Sequence, residues 1–258
     1  YSVVLRPGVH KLGISVAENL RNCGAVLVAT GAALREEPDF LSQMFGVTIG
    51  GRLSPIRGCY MLTEPKEVFG DFKDRDWVYL DKDYYFMEPE EENKNYLPLI
   101  RAGMYGPPER CQGYEITDQS CVSVREGRAV YFSWMPGSLY QMQGYEDFKQ
   151  IFLDVLRKNT DGMDQMLRVD GPPCAEVFFD RCGPDLYLLQ VINYSGFNGT
   201  TFFEPLDVEL EIRVEKICVE KVQILTESGR KKLTDQGHFH LKVRGLYQAA
   251  LIYGKERL

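Results

Sequence analysis

Several features that mark large classes of proteins are absent from this sequence. No C-x-x-C pair occurs, and the seven irregularly spaced cysteines argue against a disulfide framework or a zinc ribbon. The net charge of −7 provides no excess of lysine and arginine for a phosphate backbone, so we expect no nucleic-acid partner. No run approaches the roughly 18 apolar residues that span a bilayer, so we expect no membrane partner.

Metal ligands are also scarce. The chain has three histidines, and two of them, His238 and His240, stand at alternate positions and so on one face of a strand. A structural zinc ion takes four ligands, and the spacing places no cysteine or acidic side chain beside this pair. We therefore predict surface histidines, no metal site and no cofactor.

What is present is an ordinary globular composition. Hydrophobic residues make up 44% of the chain and charged residues 26%, which is enough for a sizeable core. Free thiols in a reducing compartment are the simplest interpretation of the cysteines, which predicts a cytoplasmic protein. The chain has no initiator methionine and no targeting segment, and residues 3–5 already have the pattern of a buried strand. We expect a piece of a longer polypeptide.

Residues 1–162 are predicted to form an α/β domain. The apolar residues 3–5 predict a strand, and a capping box at 15–18 predicts the start of a helix that ends at Gly24. The continuous apolar run at 25–30 predicts a buried strand. Strand, helix and strand within this length form a βαβ unit with parallel strands.

Weaker signals follow. Pro38 predicts the first residue of a helix that ends at Gly46, and three short apolar runs predict strands. A glycosidase needs two carboxylates held about 5 to 10 Å apart, and nothing in the acidic stretch at 88–95 would hold its carboxylates in place. We therefore predict a solvated loop there. The predicted short strands are residues 47–49, 59–62 and 77–80.

The clearest candidate site follows a strand at 127–133. A loop at 134–140 and an amphipathic helix at 145–158 come next, and ligands of α/β sheets lie beyond the carboxyl ends of strands. Trp134, Tyr140 and Tyr145 are therefore predicted to bind a carbohydrate substrate by stacking on sugar rings. The alternative is that these rings pack the loop against the domain or a partner.

Residues 163–258 are predicted to form an all-β antiparallel sandwich, because apolar residues now recur at every second position. The stretch at 186–205 begins as a strand that is apolar on both faces, which predicts the central strand of this domain. Dense turn chemistry follows at 193–199. The remaining predicted strands are residues 175–180, 208–214, 219–225, 238–243 and 248–253.

Several of these segments resemble one known family. The segments at 106–109 (Gly-Pro-Pro-Glu), 127–140 (from Gly-Arg-Ala to Ser-Leu-Tyr) and 144–147 (Gly-Tyr-Glu-Asp) resemble the end of the class I glutamine-amidotransferase-like, flavodoxin-like domain of β-galactosidase-type glycoside hydrolases. This domain is the β-galactosidase trimerisation domain. Residues 189–205 resemble the β-sandwich that follows it, so the resemblance covers nearly the whole chain.

The resemblance implies a layout in which a catalytic (β/α)8 barrel precedes these two domains. The barrel has no counterpart here, so no catalytic residue is predicted. An amidotransferase requires a nucleophilic cysteine in an elbow after residues 3–5, where the chain has Pro-Gly-Val-His at 7–10. In that family the domain serves assembly, which implies a homo-oligomer and a glycosidase barrel as partners.

Three functions follow from these observations. The first is a non-catalytic portion of a bacterial glycoside-hydrolase-like protein that supports or oligomerises the barrel. The second is a carbohydrate-binding module that uses the loop aromatics or the sandwich. The third is an independent enzyme that acts through a cysteine or an acidic residue.

Overall fold

A computed structural model describes residues 3–7, 11–53, 59–72, 74–80, 84–101, 115–159, 166–226, 229–234 and 237–257. Most of these residues lie in β-strands of several sheets. The chain divides into two compact units, Tyr1–Met163 and Asp164–Leu258. The predicted elbow at 8–10 and the motif at 106–109 lie outside the described residues.

The first unit is built on a mixed sheet of seven strands in the order β1-β2-β9-β8-β7-β4-β5. Strands β1, β2 and β9 run parallel, and β8, β7, β4 and β5 join by antiparallel pairing. Strands β3 and β6 form a separate antiparallel pair. The strands are β1 (Val3–Pro7), β2 (Val26–Thr30), β3 (Val47–Leu53), β4 (Cys59–Leu62), β5 (Trp77–Leu80), β6 (Tyr84–Pro89), β7 (Lys94–Ile100), β8 (Ile116–Arg125) and β9 (Ala129–Phe132).

This topology confirms the parallel βαβ unit at the start of the chain. A flavodoxin-like sheet is parallel throughout, whereas among the described strands of this sheet only β1, β2 and β9 run parallel. The four remaining strands of the large sheet pair antiparallel instead. The acidic stretch at 88–95 covers the end of β6, a turn and the start of β7.

Four α-helices accompany this sheet: α1 (Ile14–Asn22), α2 (Pro38–Phe45), α3 (Pro136–Gln143) and α4 (Glu146–Asn159). Both faces of β2 and β9 are covered, because alternate side chains enter two different cores. Leu27 and Ala29 pack with apolar residues of α2, and Val28 packs with apolar residues of α4. No helix in the described part of the chain has the length and apolar character needed to cross a membrane.

The sequence signals for the helices differ in how well they predict the structure. Helix α2 begins at Pro38, and Gly46 ends it in the left-handed conformation, as predicted. The capping box is wrong, because Gly13 is the N-cap of α1 and no side chain caps that end. Ser15 lies inside the helix, where it cannot act as the cap.

The second unit contains a three-stranded sheet, β10-β13-β16, and a five-stranded sheet, β11-β12-β17-β14-β15. Side chains from both sheets, such as Val191 of β12 and Ile212 of β13, enter one apolar core. This arrangement is consistent with the predicted sandwich. The strands are β10 (Leu167–Asp170), β11 (Ala175–Gly183), β12 (Leu186–Asn193), β13 (Val208–Val214), β14 (Ile217–Thr226), β15 (Gly229–Thr234), β16 (His238–Val243) and β17 (Tyr247–Glu256).

One prediction for this unit is wrong in detail. Strand β12 pairs with β11 and β17, so it is internal, but β17 holds the central place of the sheet. The burial of β12 also alternates: Tyr187, Leu189 and Val191 are buried, whereas the residues between them are half-buried. The strand therefore presents one face to the core rather than two.

Candidate functional site

The candidate site is a cavity of about 470 Å³ in the first unit. It lies at the carboxyl ends of the parallel strands β2 and β9, where ligands of α/β sheets bind. Its volume falls within the range of small-molecule sites. The lining residues are Val28, Thr30, Met135, Pro136, Gly137, Ser138, Tyr140, Gln141, Phe148, Lys149 and Phe152.

The local sequence explains how the chain encloses this space. Helix α3 begins with Pro136 at its first turn and ends at Gly144 in the left-handed conformation. This glycine allows the chain to reverse directly into α4, whose residues Phe148 and Phe152 form the opposite wall. Two short helices therefore enclose the cavity above the ends of β2 and β9.

Gly31 and Met135 fit closely at the edge of the cavity. Gly31 follows β2 with a φ of 60°, and a Cβ atom there would lie 2.6 Å from the Met135 sulfur. The Thr30 hydroxyl lies 3.9 Å from the same sulfur. A side chain at position 31 would push the flexible Met135 side chain aside, and the positive φ of this residue also favours glycine.

A polar network lies beside the cavity on α3 and α4. The Tyr140 hydroxyl donates a hydrogen bond to Glu146 Oε1 at 3.1 Å, and the Lys149 ammonium donates to Glu146 Oε2 at 3.0 Å. Burial, the hydrogen bond to Glu146 and the negative charge of that carboxylate all raise the pKa of Tyr140. The phenol therefore remains protonated at neutral pH and can act as a hydrogen-bond donor.

The predicted site residue Trp134 does not line the cavity. Its side chain is 0% exposed, and its ring packs 5.4 Å from Phe148 and 6.2 Å from Phe132. Its indole nitrogen has no hydrogen-bond partner among the described residues. Because neighbouring rings enclose it, Trp134 has no open face on which a sugar could stack.

The prediction of a loop at 134–140 is also wrong. Most of it is the first part of α3, and only Pro136 and Leu139 of that helix are buried. Tyr140 is half-buried and lines the cavity, as the site prediction requires. Tyr145 is 53% exposed beside Phe148 and is not a lining residue. Carbohydrate binding by these tyrosines stays a prediction.

Sequence reasoning missed the main walls of the cavity. Phe148 and Phe152 recur at helical spacing, and this spacing predicts only that the helix is amphipathic. Met135 carries no signal of its own. A helical face predicts burial, but it does not distinguish a side chain packed against other side chains from one that borders an empty space.

The described lining of the cavity carries few ionisable side chains. Among the described lining residues there is no carboxylate, thiol or imidazole, so the carboxylate pair of a glycosidase is not found there. Cys121 of β8 is a buried thiol elsewhere in this unit, and burial raises its pKa well above the ordinary value. It therefore remains a poor nucleophile.

The histidine pair lies in the second unit and is exposed, as predicted. His238 Nε2 lies 2.8 Å from Glu211 Oε1, and His240 Nδ1 lies 3.7 Å from Glu209 Oε1. These glutamates stand on the neighbouring strand β13, which sequence spacing could not reveal. Within the described ranges, no group of three or more histidine, cysteine or acidic residues could hold a metal ion.

The pKa of one of these carboxylates responds to its partners. Hydrogen bonds from Arg213 and His238 lower the pKa of Glu211, and the positive charge of Arg213 adds to the effect. The carboxylate is therefore ionised and already paired. This arrangement is a surface charge network on the β13–β16 ladder.

Comparisons with known proteins bear on the fold. No family model matches the sequence, and no curated protein matches it. Among solved structures, the chain is similar to alpha-L-fucosidase isoenzyme 2 from Paenibacillus thiaminolyticus, with a TM-score of 0.65 and 14% identity. This likeness covers 99% of the chain and 41% of the fucosidase chain, so the chain spans less than half of that enzyme.

Two further likenesses are more distant. A β-galactosidase from Marinomonas ef1 has a TM-score of 0.48 and 12% identity over 99% of this chain and 29% of its own. A ThuA-like protein from Bacteroides uniformis has a TM-score of 0.43 and 12% identity over 62% of this chain and 71% of its own. At 14% identity, the likeness to the fucosidase indicates that the two proteins share a fold over this chain.

Proposed function

We propose that this chain is a non-catalytic part of a glycoside-hydrolase-like protein and that it supports or oligomerises a catalytic barrel outside these residues. The observation that carries the proposal is the likeness to a fucosidase over 99% of this chain but 41% of that enzyme. The proposal assigns the bond-breaking residues to the part of such an enzyme that has no counterpart here.

The chemistry of the described residues supports the same proposal. The cavity is mainly apolar, and the Glu146 carboxylate beside it already accepts hydrogen bonds from Tyr140 and Lys149. Glycoside hydrolysis needs a free carboxylate on each side of the scissile bond. A glutamate held by two intramolecular hydrogen bonds is poorly suited to that role.

The proposal has two finer parts. The first unit would serve assembly as a flavodoxin-like trimerisation domain does, which rests on the resemblance at 127–140 and on the parallel strands β1, β2 and β9. The protein would act in the cytoplasm, where its thiols stay reduced. The six described cysteines carry thiols rather than disulfides, which supports this location.

Hydrolysis assays test the main proposal. The purified chain is expected not to cleave aryl α-L-fucosides or aryl β-D-galactosides, with a known fucosidase and a known galactosidase as positive controls. The polypeptide encoded by the complete reading frame is expected to cleave one of them. Turnover by the chain alone would contradict the non-catalytic role, and inactivity of the complete polypeptide on all aryl glycosides would contradict the glycosidase assignment.

A second candidate function is carbohydrate binding at the cavity. It is favoured by the place of Tyr140, whose half-buried ring lines the cavity and whose hydroxyl is held in position by its hydrogen bond to Glu146. Titration calorimetry with fucose, galactose and their oligosaccharides tests this function. Tyr140→Ala should abolish any binding, whereas Tyr145→Ala, which alters a residue outside the lining, should preserve it. Equal loss in both variants would show that binding does not depend specifically on the lining of the cavity.

A further inference from the structure

A group of large apolar side chains is exposed at one end of the second unit. Four come from the loop between β12 and β13, one comes from the turn between β16 and β17, and one is the first residue of β17. Their exposed fractions range from 44% to 72%. We call this group the apolar cluster; its members are Phe197, Phe202, Phe203, Leu206, Leu246 and Tyr247.

The two segments that form the cluster are joined through Asn193. This buried side chain donates hydrogen bonds from Nδ2 to the Leu206 carbonyl at 2.7 Å and the Gly245 carbonyl at 3.1 Å. Its backbone N–H donates to the Leu246 carbonyl at 2.8 Å. The loop and the turn are therefore held side by side by the side chain and backbone of Asn193, and not by their own exposed side chains.

The loop is also closed on itself. The Phe203 N–H donates to the Gly196 carbonyl at 2.8 Å, and a Cβ atom at Gly196 would lie 2.3 Å from the Phe203 carbonyl oxygen. Phe197 and Phe202 stack with ring centroids 4.7 Å apart. The closed loop thus keeps these apolar side chains at the surface, although the exposure of each ring to water is unfavourable.

The polar groups of the loop argue against a sugar ligand. Asn198 Oδ1 accepts hydrogen bonds from the Thr200 and Thr201 backbones, and the Ser195 hydroxyl bonds the Leu206 backbone in both directions. These side chains close the loop instead of facing outward. Sugar sites combine aromatic rings with free polar groups, whereas exposed phenylalanine and leucine are typical of protein interfaces.

The charge and area of the cluster fit a second copy of the chain. Its six members are uncharged, and nearby Asp207 is paired with Lys242 at 3.1 Å. The exposed charges that adjoin the cluster in sequence, Glu204 in the loop and Arg244 beside the turn, are opposite in sign, so two copies can meet without strong repulsion. The six side chains expose on the order of 600 Å², since one aromatic side chain has about 150–250 Å². Each partner in a stable interface contributes about 800 Å², which the surrounding rim would complete.

We propose that the apolar cluster is a two-fold interface with a second copy of this chain. The cluster on one copy packs against the same cluster on the other, with Phe203 and Leu206 as its most exposed apolar members. The inference goes beyond the proposed function, because it does not require the chain to belong to a glycosidase.

Sedimentation velocity over a wide range of protein concentration tests the proposal. The wild-type chain should show a reversible twofold increase in mass with concentration, starting either from the monomer or from an assembly that the first unit forms. Phe203→Ser and Leu206→Ser should each raise the dimer dissociation constant by about thirtyfold or more, because each substitution enters a two-fold interface twice. Neither side chain supports the loop backbone, so both variants should melt at the wild-type temperature.

Trp77→Ser provides the matched control. Trp77 is an aromatic residue on β5 of the first unit that is 57% exposed, so its replacement removes a comparable exposed ring outside the cluster. It should leave the dissociation constant unchanged. A wild-type chain that stays monomeric would overturn the proposal, as would an oligomer that Phe203→Ser and Leu206→Ser do not weaken.

The same variants also distinguish a sugar ligand from a second copy of the chain. If the wild-type chain stays monomeric and binds oligosaccharides, and if Phe203→Ser loses that binding, the cluster is a sugar site and not a dimer interface. The hydrolysis assays described above do not depend on this outcome. Failure of the dimer proposal and failure of the glycosidase proposal are therefore distinguishable.

Discussion

The two units use apolar side chains in opposite ways. In the first unit, Phe148 and Phe152 form the inner wall of a cavity, above a core that contains Trp134. In the second unit, Phe202 and Phe203 stand outside the core on a loop. The same residue types thus form a concave surface suited to a small molecule and an exposed surface suited to a macromolecule.

The difference lies in what supports each surface. Side chains packed against other side chains hold the cavity, so any loss of volume beneath it affects the stability of the whole unit. Hydrogen bonds of the backbone and of Asn193 hold the apolar cluster, so its exposed side chains contribute little to folding. Substitutions in the two places should separate stability from binding.

The largest effect is expected beneath the cavity. Trp134→Ala should lower the free energy of unfolding by about 3–5 kcal/mol, because it removes a large side chain from a packed core. Urea denaturation measures this change. Tyr145→Ala is the control, and its effect should stay within about 0.5 kcal/mol because the side chain is exposed. Equal effects at both positions would contradict the burial of Trp134.

An intermediate effect is expected at the support of the apolar cluster. Asn193→Ala removes two buried hydrogen bonds to carbonyls and should cost about 1–3 kcal/mol. It should also speed proteolysis within the loop, which limited digestion with mass spectrometry measures. Asn198→Ala affects only an exposed turn and should have a smaller effect on both measurements. Unchanged cleavage in Asn193→Ala would show that the loop is held by other means.

The smallest effect is expected at the side of the cavity. Tyr140→Phe removes the hydrogen bond to Glu146 and should cost about 1 kcal/mol or less at neutral pH. The folded state raises the pKa of Tyr140 above its ordinary value of 10.0, so its contribution is fully present below that pH. The contribution is lost as pH rises through the folded-state pKa. The stability difference between wild type and Tyr140→Phe, measured by urea titration, should therefore shrink in alkali.

Local signals predict those elements that local interactions decide. Helix α2 has proline at its start, glycine at its end and four apolar residues on one face, and all of these act within one or two turns. Helix α3 escapes prediction because its first residues, Pro-Gly-Ser, are also typical turn residues. Its eight residues bury only two side chains, which leaves too little periodicity to favour a helix.

Features that depend on distant residues could not be predicted. The central place of β17 is set by pairing with β12 and β14, and neither strand is adjacent to β17 in the sequence. Glu211 contacts His238 across a ladder that joins residues 27 positions apart. The position of Trp134 directly after β9 is evident from the sequence, but its burial depends on packing with α4.

The closed loop between β12 and β13 has a consequence for how this protein can change over evolutionary time. Because Asn193, Ser195 and Gly196 satisfy its internal geometry, residues 203 and 206 can vary with little loss of folding stability. Homologous chains could therefore acquire new binding preferences through a few substitutions at these positions. The contacts that this loop makes can therefore change while the fold of the unit stays the same.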